Sequence, residues 1–418
     1  MDRPSEVVVV GAGVAGLRCA GILAAGGMRV SVLEASDDVG GRIRTDVMDG
    51  FRLDRGFQVL LTAYTECREA LDYDDLDLRA FYPGSLVFLG GRLRRMADPW
   101  RRPLHALASL TSPVGRLGDY LRVARLRRDV VADESDPLRE GPRRSSLEAL
   151  EARGFSEEMI DRFFRPFFGG VFLERELATS ERMLRFLFRM FAVGDTALPS
   201  AGMSAIPSQL AAKLPPGTVR TATPVIEVSP GKVRVDGGEE LTADAVVVAA
   251  DGPGAASLLT GLDVQAHNAT TCLYFDAPAP PVREPLLVLD GEGAGPVNHL
   301  CVPSQVAPDY APPGRALVSA NVVGEVGREP DLELRVRNQL RSWFGGKVDT
   351  WRHLRTYTIP HALPAFGPEG TRDPGDTVRW KPGVFVCGDH RENGSIQGAM
   401  VSGRRAAEAV LEERGDVS

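Results

Sequence analysis

The 418-residue sequence predicts an α/β fold built on a Rossmann-like parallel sheet. Three observations predict it. A glycine-punctuated strand, helix and strand open the chain; an apolar strand, a polar loop and a helix close it; and a hairpin with a returning strand lies between. The length exceeds one ordinary core, so two or three domains are expected.

The first unit is "EVVVVGAGVAGLRCAGILAAGGMRVSVLEA". Val7 to Val10 read as a strand, Gly11, Gly13 and Gly16 as a tight turn into a small-residue helix, and Val30 to Leu33 as a second strand. Gly11 permits the turn, Gly13 lets the backbone approach a pyrophosphate, and Gly16 lets helix and strand lie close. The helix N-terminus, around Ala15, turns free N–H groups toward the phosphates. Glu34, followed by Ala35, closes the second strand, where its carboxylate can accept from both ribose hydroxyls and would repel a 2′-phosphate. That disfavours NADP.

"DDVGGRIRTD" follows, and a nicotinamide site needs none of it. A cofactor extending beyond its ADP half needs a second backbone approach, which Gly40 and Gly41 allow. It also needs a cation near the diphosphate, which Arg42 or Arg44 can supply. These residues fit FAD better than NAD. Here the chain resembles the flavin amine oxidase, protoporphyrinogen oxidase and phytoene desaturase superfamily, whose N-terminal signature is GxGxxG, a Glu, then GGR. In "FRLDRGFQVL", Asp54 and Gly56, with Phe57 beside them, resemble the family's Asp-x-Gly segment, which runs along the isoalloxazine.

The C-terminal "GVFVCGDHRENGSIQGAMVSGRRAAEAVLEE" reads as a buried strand, a polar loop and a helix opening near Ser395. It is similar to the family's second flavin motif. The resemblance implies that Gly388 and Asp389 hold the ribityl or phosphate portion, and that Ser395, Ile396, Gln397 and Gly398 present a helix N-terminus to the flavin. Covalent members offer a cysteine just before this helix. This chain has "HRENGS", so FAD is expected to be noncovalent.

Such folds interleave. Residues 204 to 253 read as a helix, a hairpin and a returning strand, and the resemblance places Val225 against the adenine. "AGMSAIPSQLA" resembles the family's GGM segment with Ala201 replacing the first glycine. The expected organisation is a discontinuous FAD-binding domain of residues 1–61, 201–255 and 371–418, interleaved with an α+β substrate domain of residues 62–200 and 256–370.

"DRFFRPFFGGVFL" and "MLRFLFRMFAVG" place Phe163, Phe164, Phe167, Phe168, Phe172, Phe186, Phe188 and Phe191 at helical spacing, as core or as the wall of an apolar substrate cavity. In "TYTIPHALPAFGP" the resemblance makes Tyr357 and His361 the candidates for facing substrate. Residues 92–128 mix arginines with Trp100, Leu104, Leu107, Leu110 and Leu121, a pattern for a solvated helical face or for peripheral contact with an anionic membrane.

Acidic residues outnumber basic ones 56 to 49, which leaves no electrostatic footprint for nucleic acid. Five cysteines without CxxC spacing suit a reduced cytosolic protein and no metal. "MDRPSE" lacks the features of a signal peptide, and no apolar run is long enough to span a bilayer. The expectation is a cytoplasmic enzyme, at most peripheral to a membrane. It would use FAD to take hydride from a hydrophobic substrate such as a polyene or porphyrinogen. Amine oxidation is the alternative, disfavoured because no lysine lies between Lys232 and Lys347, where amine oxidases of the family place one near the flavin. A flavin-dependent isomerase is a third reading.

Overall fold

Near-continuous runs of valine mark strands buried on both faces, and the computed structural model, which describes residues 5–102, 112–324, 329–370 and 378–415, places them in one sheet. Glu6–Val10 lies at its centre. Arg29–Leu33 and then Val219–Arg220 extend the sheet on one side, and Ala245–Val248 and Val384–Val386 on the other, all parallel. Arg379–Lys381 closes one edge antiparallel. The sheet therefore collects strands from both ends of the chain and from its middle. Beside it, Val225–Ser229, Lys232–Val235 and Glu240–Thr242 form a small antiparallel sheet.

Two helices share a face of the parallel sheet. Val14–Ala25 follows the first strand, and Ile396–Gly415 packs along it. Glycine makes this contact close: a Cβ on Gly16 would stand 2.0 Å from the Gly11 carbonyl oxygen, and one on Gly403 would stand 2.1 Å from that of Ala15.

The second large sheet has seven strands. His267–Ala277 pairs antiparallel with Arg352–Pro364 on one side and Ala316–Val323 on the other. The sheet continues through Val297–Cys301, Leu287–Asp290, Gly84–Leu89 and Arg92–Ala97. Helix Leu332–Phe344 buries Leu332, Val336, Leu340 and Trp343 against one face. On the other side, helix Arg165–Phe172 touches the sheet where Asn298 Nδ2 donates to the Pro166 carbonyl. A π-helical turn, Ile160–Phe164, leads into that helix, and helices Glu181–Val193 and Leu117–Ala132 complete the layer. No helix among the described residues is long and apolar enough to cross a membrane.

Candidate functional site

A cavity of about 1020 Å³ runs between the two sheets. It lies at the upper end of the range typical of small-molecule sites. The first glycine-rich turn supplies one wall: Gly11, Gly13 and Ala15 line the cavity, with Glu34 and Ala35 beyond them. Gly11 has φ +107, and a Cβ there would meet the Ala249 carbonyl at 2.8 Å, so only glycine serves. Gly13 caps the helix with no side-chain hydrogen bond, and the space where its Cβ would stand is open. The Glu34 carboxylate is buried and oriented, accepting from the Ala12 N–H at 2.7 Å and the Ser36 hydroxyl at 2.6 Å.

The second pair of glycines folds back on the first turn. The Gly40 N–H donates to the Ala12 carbonyl at 2.8 Å, and a Cβ on Gly41 would lie 3.5 Å from the Gly13 Cα. Both line the cavity, as do Arg42, Gly56, Phe57 and Val225.

From the other end of the chain come Gly388, Asp389, Ser395 and Ile396. The two ends meet in an ion pair: Arg42 Nη2 donates to Asp389 Oδ1 at 2.6 Å, and Arg42 Nη1 to the Ala362 carbonyl at 2.9 Å. Burial opposes the Arg42 charge, but Asp389, with Asp251 behind it, outweighs that and raises the guanidinium's pKa. Gly398 N–H donates to Ser395 Oγ at 2.9 Å, tightening the first turn of the last helix.

Several residues singled out from the sequence stand elsewhere. Gly16 lies beneath the turn. Arg44 turns away to Asp37, 2.8 Å from its carboxylate, so of the two arginines Arg42 is the one that lines the cavity. Gln397 accepts from the Glu66 N–H at 3.0 Å and donates to Thr65 Oγ1 at 3.0 Å, locking the last helix to the short helix Thr65–Ala70. Asp54 is buried outside the cavity, held by Thr45 Oγ1 at 2.6 Å, the Met203 N–H and the Tyr310 hydroxyl at 2.8 Å; burial pushes its carboxyl up to about 6.

Tyr357 and His361 also fall outside the lining. The Tyr357 hydroxyl donates to Asp46 Oδ2 at 2.6 Å, and burial together with that carboxylate raises its pKa. His361 is exposed, edge-on to His267 at 5.4 Å. Of this strand, Ile359, Ala362 and Leu363 reach the cavity, and Ile359 pairs with Thr270, which also lines it. Between Ile359 and Leu363 the register shifts, so His361 sits in an irregularity next to Pro360, which has no N–H to give the ladder.

The far wall is aromatic. Phe163, Phe167, Phe168, Phe188 and Phe191 line it, while Phe164, Phe172 and Phe186 pack behind in the core. His299 lines the same region edge-on to Phe57 at 5.4 Å, and burial pushes its imidazole down to about 4, so it is neutral near pH 7. Trp100, Arg101 and Arg127 form a more open part of the wall. Leu104, Leu107 and Leu110 lie outside the described residues. Sequence reading missed Asp251, His299, Arg127 and Thr270. Only Asp251 carries a local signal, an acid at the end of an apolar strand before Gly-Pro, where it caps the next turn through the Gly254 N–H at 3.0 Å.

This architecture, with a glycine-rich turn, an acid-terminated second strand and a distant Gly-Asp loop on one cavity, is that of a flavoprotein. The family model of flavin-containing amine oxidoreductases matches residues 14–411, and the chain belongs to that family. It is 45% identical over 80 residues to the L-amino-acid oxidase of Crotalus adamanteus, covering 19% of this chain and 16% of that protein. It is 29% identical over 165 residues to protoporphyrinogen oxidase 2 of Arabidopsis thaliana, covering 40% of this chain and 32% of that protein. The alignments thus span a third or less of the length of these curated relatives. The crystal structure of an oxidoreductase from Methanosarcina mazei superposes with a TM-score of 0.76 at 19% identity, over 96% of this chain and 100% of that one, and shares the fold.

The residues present fit a bound flavin dinucleotide. Gly13 leaves space where any other residue would project a side chain, its helix offers first-turn N–H groups that no side chain caps, and Arg42 stands at the same wall.

Proposed function

We propose that the protein is an oxidoreductase that holds FAD noncovalently and takes hydride from a C–H bond of a predominantly apolar molecule, such as a polyene or porphyrinogen. One observation carries the reading: a single cavity joins both flavin motifs to a wall of phenylalanines. Bound flavin supplies the hydride acceptor. The chain's own residues bind, orient and exclude water. The Gly13 to Ala15 turn receives the phosphates, Glu34 the ribose hydroxyls, and Arg42 with Asp389 the middle of the cofactor. Phe163, Phe167 and Phe191 keep the substrate end dry. No lysine is among the described lining residues, which favours dehydrogenation of an apolar molecule over amine oxidation. No cysteine is among them either, which supports noncovalent attachment.

The surface beside the open wall supports peripheral contact with anionic lipid: Trp100 is 44% exposed, Leu117 64% and Leu121 71%, among several arginines. Failure to sediment with phosphatidylglycerol vesicles at low salt would remove that contact from the reading.

The test of function begins with the visible spectrum before and after acid precipitation. Flavin passing wholly into the supernatant is expected. Anaerobic bleaching of the flavin by polyenes or porphyrinogens should follow. Hydrogen peroxide formed from amines would instead identify an amine oxidase, and a product of unchanged mass an isomerase.

A further inference from the structure

Among the described residues four arginines line the cavity, and three are neutralised. Arg42 pairs with Asp389 at 2.6 Å, Arg55 with Asp46 at 2.9 Å, and Arg101 with Asp195 at 2.8 Å. Arg127, on helix Leu117–Ala132, has no carboxylate partner among the described residues. Its Nη2 donates to the Ala192 carbonyl at 3.0 Å, and its guanidinium lies over the Trp100 ring at 4.6 Å. Its Nε is buried and has no hydrogen-bond partner. The segment outside the description nearest to it in sequence, residues 103–111, contains no Asp or Glu. The apolar Val123, Phe188, Phe191 and Ala192 line the cavity with it, as do Asp98, Arg101 and Tyr120.

A half-buried guanidinium without a counter-charge costs free energy that an anionic acceptor would recover. The backbone carbonyl and the indole fix the guanidinium plane, so the ordering cost is already met before a ligand arrives. We infer that Arg127 is the anchor for an anionic group, a carboxylate in the first instance, carried at one end of an otherwise apolar substrate. The inference rests on the apolar-substrate reading above and narrows it to amphiphilic acids. The phenylalanines take the hydrocarbon, and Arg127 with Trp100 takes the charged end near the open wall.

The test uses the FAD-loaded protein and two probes differing only at the end group, dodecanoate and dodecanol, by isothermal titration calorimetry. Dodecanoate should bind at least about tenfold tighter, the size of one charge-assisted hydrogen bond. Arg127→Gln should remove that preference while leaving dodecanol binding unchanged. Equal binding of both probes to the unaltered protein, or equal weakening of both by Arg127→Gln, would overturn the inference and leave the apolar cavity standing. Binding of neither probe would overturn the apolar-substrate reading and this inference with it. A lipid headgroup is the other source of such an anion: if Arg127→Gln abolishes binding to phosphatidylglycerol vesicles but not the preference for dodecanoate, Arg127 serves the membrane and not the substrate.

Discussion

Gly13→Ala separates what the fold needs from what the cofactor needs. At Gly13 the backbone has φ −71 and ψ 173, which alanine adopts freely, and nothing lies within 4 Å of the added Cβ. Alanine is a poorer N-cap than glycine, at a cost of up to about 1 kcal/mol. It also loses less entropy on folding, a gain of about 0.4–1 kcal/mol. The two offset, so apoprotein stability should hold to within about 1 kcal/mol. The methyl group, however, projects into the space through which a pyrophosphate must approach the turn. A 100-fold loss of FAD affinity cuts the ligand-linked stabilisation of a protein held at 100 times its dissociation constant from about 2.7 to about 0.4 kcal/mol, a loss of about 2.3 kcal/mol. Thermal unfolding of both apoproteins, with and without FAD, measures this directly. The apoproteins should melt together and diverge by several degrees once FAD is added. If FAD raised the melting temperature of Gly13→Ala as much as that of the unaltered protein, the assignment of this turn to the cofactor would be wrong.

Three further outcomes are expected. Arg42→Gln leaves the buried Asp389 carboxylate without its cation, so stability should fall by about 2 kcal/mol in urea titration, and the flavin-to-protein absorbance ratio should drop after gel filtration. His299→Gln should flatten the acid limb of stability: with the folded pKa near 4 and the unfolded value near 6.5, the unfolded chain binds the proton first, so stability is lost as pH falls from about 6.5 to about 4. The variant should show about one fewer proton taken up on unfolding across that window. Gly403→Ala should shift the urea midpoint down by the equivalent of about 1–3 kcal/mol, because its methyl group meets the Ala15 carbonyl at 2.1 Å and helix Ile396–Gly415 must retreat.

What could be read in the sequence was local. The opening turn, Glu34 and the Gly-Asp loop are specified by residues close to one another in the chain, and the backbone there has few alternatives. The α/β fold followed because buried parallel strands carry unbroken valine runs. Arg127, His299 and Thr270 were not legible. Each reaches the cavity only because the seven-stranded sheet and the helices over it bring distant segments together, and nothing near any of them in sequence marks the destination. Tyr357 and His361 illustrate a second limit. They flank Ile359 at strand spacing, yet an irregular register beyond Ile359 and a strong acceptor at Asp46 decide that Ile359, Ala362 and Leu363 line the cavity instead.

Gln397 and Gly16 show how a signature can be right about a place and differ about the role. Both belong to the two flavin motifs, and neither lines the cavity. Gly16 gives the first helix its closeness to the Gly11 turn, and Gln397 ties the last helix to Glu66. Glu66 is itself buried between Arg18 of the first helix and Arg404 of the last, 2.8 Å from each. Two guanidiniums on one buried carboxylate, with Gly403 seated on Ala15, fasten side by side the two helices whose N-termini open on the cavity. The cofactor needs donors from opposite ends of the chain at fixed separation, and a pairing that left either helix free to slide would charge that ordering to every binding event. Sequence patterns in such motifs therefore record two demands at once: residues that touch the ligand, and residues that keep those residues in place.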